Sequence, residues 1–236
     1  MTITTDQTLG ELLTQDPRRA RVMETYGLDY CCGGNRSLAS ACQEAGIDAG
    51  DVAQALDLPD RPPAPEWLQL GPAALAQHIV ATHHAYLWEE MPRLDALVTK
   101  VHGVHGERHP ELSDVAALYR EVVADLGPHL TKEERILFPA IAALEEQGAA
   151  ARFPFGRLAN PIAAMLAEHD TVGALFAQIR EATGGYVVPG DGCASYTAML
   201  TGLEEMERDT HEHIHKENNV LFPRVLELEN ELFGPA

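Results

Sequence analysis

Apolar residues recur at alternating intervals of three and four along four long stretches of the chain, about 72–101, 111–146, 160–182 and 193–230. That spacing keeps one face of an α-helix apolar, so each stretch predicts an amphipathic helix. Four such helices of similar length predict an antiparallel four-helix bundle. The seam of the first runs Val80, His84, Leu87, Met91, Leu94, Val98, and that of the third Ile162, Met165, His169, Val172, Phe176, Ile179. The second runs Leu118, Val122, Asp125, His129, Glu133, Ile136, Ala140, and the fourth Met199, Leu203, Met206, Thr210, His213, Glu217, Val220. Strict alternation is confined to a short Tyr186-Val187-Val188 run, so the expected fold class is all-α.

The first 57 residues read as a small helical domain. Asp16-Pro17, Gly27, Gly33-Gly34, Ser37, Gly46 and Asp48 punctuate helices too short for a bundle. Leu58-Pro-Asp-Arg-Pro-Pro-Ala-Pro65 then excludes helix and predicts a stiff, extended linker over 58–71, with the bundle occupying 72–236.

Histidine changes the picture. One imidazole interrupts each apolar seam, and the second and fourth seams add a glutamate four residues on. His129-Leu-Thr-Lys-Glu133-Glu-Arg-Ile-Leu-Phe-Pro139 is echoed by His213-Ile-His-Lys-Glu217-Asn-Asn-Val-Leu-Phe-Pro223, and 45 positions separate His84 from His129 against 44 between His169 and His213. A single histidine in such a seam is ordinarily a hydrogen-bonded core residue. Four of them, with two duplicated His-x-x-x-Glu pairs, point instead to a pseudo-twofold metal site of His84, His129, Glu133, His169, His213 and Glu217, because residues four apart share a helical face. Imidazole and carboxylate without thiolate suit iron or manganese, with zinc as the competitor. The expected cofactor is two non-haem iron ions, oxo- or hydroxo-bridged. Asp125 and Asp209, each four residues before a repeat histidine, are candidate outer acceptors for an imidazole N–H. His102, His105 and His109 read as a loop cluster, His211 and His215 as surface positions, and His78 and His83 as residues without partners.

Asp and Glu number 36 against 17 Lys and Arg, a formal charge of −19. This argues against nucleic acid or an anionic membrane as partner. No apolar run approaches the roughly 18 residues that span a bilayer. Residues 1–10 also lack the features of a secretory signal, so a cytoplasmic location is expected. Of the four cysteines, Cys31 and Cys32 are adjacent; a bond between neighbours would be strained and easily reduced, which suits redox or thiol exchange. Cys42 and Cys193 read as structural. The glycines after the pair permit unusual backbone angles or close approach.

Leu9-Gly-Glu-Leu-Leu, Tyr26-Gly-Leu-Asp-Tyr-Cys31-Cys32-Gly-Gly34, the two His-x-x-x-Glu motifs ending in Leu-Phe-Pro and Glu168-His169-Asp170 together resemble the repair-of-iron-centres di-iron proteins, a branch of the haemerythrin-like bundles. The resemblance covers nearly the whole chain. It implies a stress-response protein that restores iron–sulfur clusters damaged by nitric oxide or peroxide, by donating iron to damaged or apo cluster proteins. It implies that the six named His and Glu residues are the di-iron ligands, none substituted here. His105 matches a further family histidine and Glu168 a carboxylate near the site; both are carried as outer residues. Ala124-Asp125 stands where relatives often carry two glutamates. Reduction of nitric oxide or peroxide at the same centre is the alternative activity, and oxygen carriage or sensing a third. Association into a homodimer is left open.

Overall fold

The computed structural model describes residues 3–59 and 63–234, and among these it is helical with no strand. Part of the expected proline-rich linker, residues 60–62, lies outside the described residues.

Four short helices come first: α1 (Leu9–Gln15), α2 (Arg19–Thr25), α3 (Leu38–Ala45) and α4 (Ala49–Leu56). Their ends follow from local chemistry. Thr8 and Glu11 form a reciprocal capping box, Ser37 and Asp48 accept from the first-turn amides of α3 and α4, and Gly46 closes α3 at φ 70°. Leu9, Leu12, Met23, Leu38, Cys42, Val52 and Leu56 pack into a core of their own that also takes in Ile214 from the far end of the chain. The segment after the prolines is not extended throughout. Glu66–Gln69 forms a 3₁₀ turn, and Leu68 O within it and Leu70 O just after it accept from the Arg224 guanidinium at 3.0 Å.

The bundle helices are α5 (residues 72–105), α6 (111–147), α7 (Ala159–Ala182) and α8 (194–233). Short connections make chain neighbours antiparallel, and α6 packs on α5 and α7 while α8 packs on α5. Two apolar clusters fill the interior. One, including Leu87, Leu94, Tyr119, Phe176 and Leu203, fills the end reached by His105; the other, including Leu75, Ile79, Leu144, Leu158 and Val225, fills the opposite end. The histidine–glutamate layer lies between them, sealed from water on both sides. No helix among the described residues is long and apolar enough to cross a membrane.

Candidate metal centre

Three of the bundle helices loosen into one π turn each, at Val80–His84, Glu133–Leu137 and Glu217–Leu221. The last two have a local cause. Pro139 and Pro223 bring no N–H to the carbonyl four residues back, and the preceding Phe138 and Phe222 amides donate five residues back, to Glu133 O and Glu217 O. Each of these π turns therefore begins at a glutamate of the repeat. The extra residue per turn also slips the register. Leu137 turns inward and the expected seam residue Ile136 is 50% exposed. Upstream, Leu126 and Tyr119 occupy the core where the sequence suggested Asp125 and Leu118.

The six candidate ligands converge and are all essentially buried. Their atoms form two sets that share both carboxylates: His84 and His213 with Glu133 and Glu217, and His129 and His169 with the same glutamates. Glu133 Oε2 lies 3.4 Å from His84 Nε2, 3.3 Å from His129 Nε2 and 3.9 Å from His213 Nε2. Glu217 Oε1 is 3.0 Å from His213 Nε2, and its Oε2 is 3.1 Å from His169 Nε2. Each set thus takes one imidazole from each hairpin, an interleaving that sequence spacing does not reveal.

The outer faces of the rings settle which nitrogen is free to ligate. His84 Nδ1 meets Glu134 Oε1 at 3.0 Å, His129 Nδ1 meets Glu168 Oε2 at 2.8 Å and His169 Nδ1 meets Asn218 Oδ1 at 2.7 Å. These oxygens accept, so the three Nδ1 atoms each carry a proton and the Nε2 atoms are the ones turned inward. Yet His129 Nε2 and His169 Nε2 stand 3.1 Å apart, and His84 Nε2 and His213 Nε2 3.2 Å apart. Imidazole nitrogens facing each other at that distance suit a cation held by both, a metal ion or a shared proton. Both oxygens of Glu133 and Oε2 of Glu217 are buried without a hydrogen bond, which in an apolar layer costs several kcal/mol per charge unless a cation answers it. The residues present therefore fit bound metal. Burial alone would raise both carboxyls, but the facing imidazoles hold Glu133 below and Glu217 well below the ordinary range. Burial works against His129 too, yet the carboxylate of Glu133 keeps it up at about 9. Phe138 stacks on His84 and Phe222 on His169, a use for the repeated Leu-Phe-Pro.

The other candidates scatter. Glu168 reaches His129 and is also paired with Lys132. Asp209 accepts from His83 Nδ1 at 2.9 Å and does not reach His213. Asp125 is exposed on α6, because the residues facing the core there are Val122 and Leu126. His105 ends α5, 21 positions from His84 and so about 30 Å along the helix, with its Nε2 3.3 Å from Cys193 Sγ. It is no neighbour of the metal layer. His83 is buried and partnered, contrary to expectation. His215 is buried rather than superficial, bonded to Thr14 Oγ1 at 3.2 Å, and burial depresses it to about 4; His211 packs edge-on against Tyr30. Cys193 is exposed, while Cys42 is buried in the N-terminal core.

Cys31 and Cys32 are free thiols with sulfurs 3.8 Å apart. The Asp29 carboxylate gathers their loop, accepting from the amides of Cys31, Cys32 and Gly33 and from the Cys31 thiol. The loop docks on the π turn of α8. Asn219 Nδ2 donates to Cys31 O at 3.1 Å, and Asn218 Nδ2 lies 3.4 Å from the same carbonyl while its Oδ1 takes the His169 proton. Sequence reasoning passed over Asn218, Asn219 and Glu134. The available signal was the repeat itself, which reads Glu134-Arg135 in one copy and Asn218-Asn219 in the other.

Residues 75–225 match the haemerythrin family, described as a hemerythrin HHE cation binding domain, and residues 5–59 match a domain of unknown function, DUF542. Iron-sulfur cluster repair protein YtfE of Citrobacter koseri is 35% identical over 222 residues, 94% of this chain and 97% of the relative. Its namesake in Salmonella paratyphi B is 37% identical over 223 residues, again 94% and 97%. This chain belongs to the YtfE-type iron–sulfur cluster repair family. Within that family's haemerythrin domain, the buried His–Glu layer is the feature of this chain that suits a bound cation.

Proposed function

We propose that the chain repairs iron–sulfur clusters damaged by nitrosative or oxidative stress, acting in the cytoplasm and giving up iron held in the His–Glu layer. Two non-haem iron ions are its cargo, one held by His84 and His213, the other by His129 and His169, with Glu133 and Glu217 common to both. The observation that carries this reading is the pairing of inward imidazole nitrogens 3.1–3.2 Å apart beside two buried carboxylates. Glu134, Glu168 and Asn218 hold three of the rings in their ligating tautomer, and the apolar clusters on either side keep water out. Cys31 and Cys32 act as auxiliary thiols for ligand exchange, with damaged or apo iron–sulfur proteins as acceptors.

Metal content of the anaerobically purified protein tests the reading. About two irons per chain are expected, lost in both Glu133→Ala and His213→Ala. The loaded protein should restore a nitric-oxide-inactivated cluster enzyme better than the same dose of free ferrous iron. One zinc, no metal, or no advantage over free iron would overturn it.

The sharing of both carboxylates by the two ligand sets supports a second reading, reduction of nitric oxide or peroxide. Two ferrous ions held by these residues would supply the two electrons that, with two protons, convert two nitric oxide molecules to nitrous oxide and water, and the shared carboxylates would keep the reacting ligands close together. Absence of nitrous oxide from the reduced protein and nitric oxide would eliminate the nitric oxide half of it.

A further inference from the structure

The repeat relates His84 to His169, His129 to His213 and Glu133 to Glu217. The same relation carries Glu134 onto Asn218, and both do the same work, accepting from Nδ1 of His84 and of His169. It also carries Glu168 onto His83, and here the correspondence fails. Glu168 accepts from His129 Nδ1 at 2.8 Å. His83 instead lies flat on the His213 ring, centroids 5.6 Å apart and planes 5° from parallel. Its two nitrogens are committed elsewhere, Nδ1 to Asp209 at 2.9 Å and Nε2 to Lys216 Nζ at 2.6 Å. Lysine only donates, so His83 Nε2 accepts and Nδ1 carries the proton given to Asp209. Nothing remains for His213, whose Nδ1 is buried without a partner.

We propose that the two metal pockets are unequal, and that iron leaves first from the pocket of His84 and His213. The inference rests on the reading of iron as cargo. An acceptor on Nδ1 fixes the ring and makes Nε2 a stronger donor, and loss of one such partner weakens metal binding by about 10–100-fold. Both rings of the His129 pocket have that support; in the other pocket only His84 does. An ion left in the supported pocket continues to neutralise the shared Glu133 and Glu217. His83 is thus a positioning residue that sets lability by what it withholds.

Protein loaded anaerobically with ferrous iron and mixed with an excess of a coloured ferrous chelator should release iron in two phases of about one ion per chain. Their rates should differ by about tenfold or more. His83→Gln puts an amide of Glu168's length beside His213 and should slow the fast phase by about tenfold while leaving the slow one, a split that a merely structural role would not produce. Glu168→Ala should speed the slow phase toward the fast one. Mössbauer spectra of the loaded wild type should show two ferrous doublets of equal area, drawing together in each variant. If His83→Gln fails to fold, Glu168→Ala decides. Release of both irons in one phase, or an unchanged target phase in a folded variant, overturns the inequality alone. Fewer than two irons bound overturns the cargo reading and this inference with it.

Discussion

The imidazole of His169 is oriented by an amide rather than a carboxylate. Asn218 turns its oxygen to Nδ1 and its nitrogen toward the Cys31 carbonyl, so one side chain both fixes the tautomer and ties the ring to the dicysteine loop. Asn218→Ala should therefore lower iron affinity by about tenfold, read by competition with a chelator of known affinity. The thiols are distinguished by their surroundings in the same way. A hydrogen bond to Cys32, burial and the Asp29 carboxylate hold the Cys31 thiol well above its ordinary range, whereas backbone amides at the start of α8 pull the exposed Cys193 below its own. A raised thiol stays protonated at neutral pH and a lowered one yields more thiolate, the reactive form. Iodoacetamide at pH 7 should thus label Cys193 ahead of Cys31, and Cys31 should gain reactivity only as pH rises well above 9. Peptide mass mapping over a pH series checks the order. The six residues that converge were readable from sequence because metal ligation would call for those types at helical spacing. The outer partners were not, since Glu134, Asn218 and His83 acquire their roles from helices that spacing alone cannot orient.

At the level of the helix, the π turns explain where a regular periodicity misleads. The spacing of three and four traces α7 and α8 correctly, down to Thr210 and Val220, but in α6 it selects Ile136 where Leu137 is buried. The proline three residues later is the visible cause, and its effect on register is not a property of periodicity. Pro139→Ala restores an N–H that can reach the Arg135 carbonyl, and it also removes the ring that clashes there, so α6 is free to wind as a plain α-helix. The turn that aims Glu133 would then tighten. Helix content by circular dichroism should be unchanged or slightly higher, while iron bound per chain falls. A variant that keeps its full iron complement would show that the π turn is dispensable for placing the carboxylate.

Across the whole molecule, the N-terminal helices and the bundle meet on α8, and the contact is built from small groups. Gly34 lies so close to the Asn219 side chain that an added Cβ would collide with it, and would also stand 2.5 Å from Tyr30 O. The glycine pair is there for close approach, since neither Gly33 nor Gly34 has a positive φ. Thr14 to His215 and the burial of Ile214 in the N-terminal core complete the seat. Gly34→Ala must push the dicysteine loop off α8. Overpacking of this kind costs about 1–3 kcal/mol, which in a chain of this size lowers the melting temperature by roughly 2–12 °C. Displacement of the loop also takes the Cys31 carbonyl away from Asn218 and with it the brace on His169. The structure therefore couples two quantities that a simple two-domain chain would keep separate. Iron in the His129–His169 pocket should leave faster in Gly34→Ala, and chelator kinetics beside a melting curve would measure both. If the melting temperature falls while release is untouched, the docked loop stabilises the chain without tuning its metal centre. If both change together, any partner that lifts the dicysteine loop would also loosen metal held by His169.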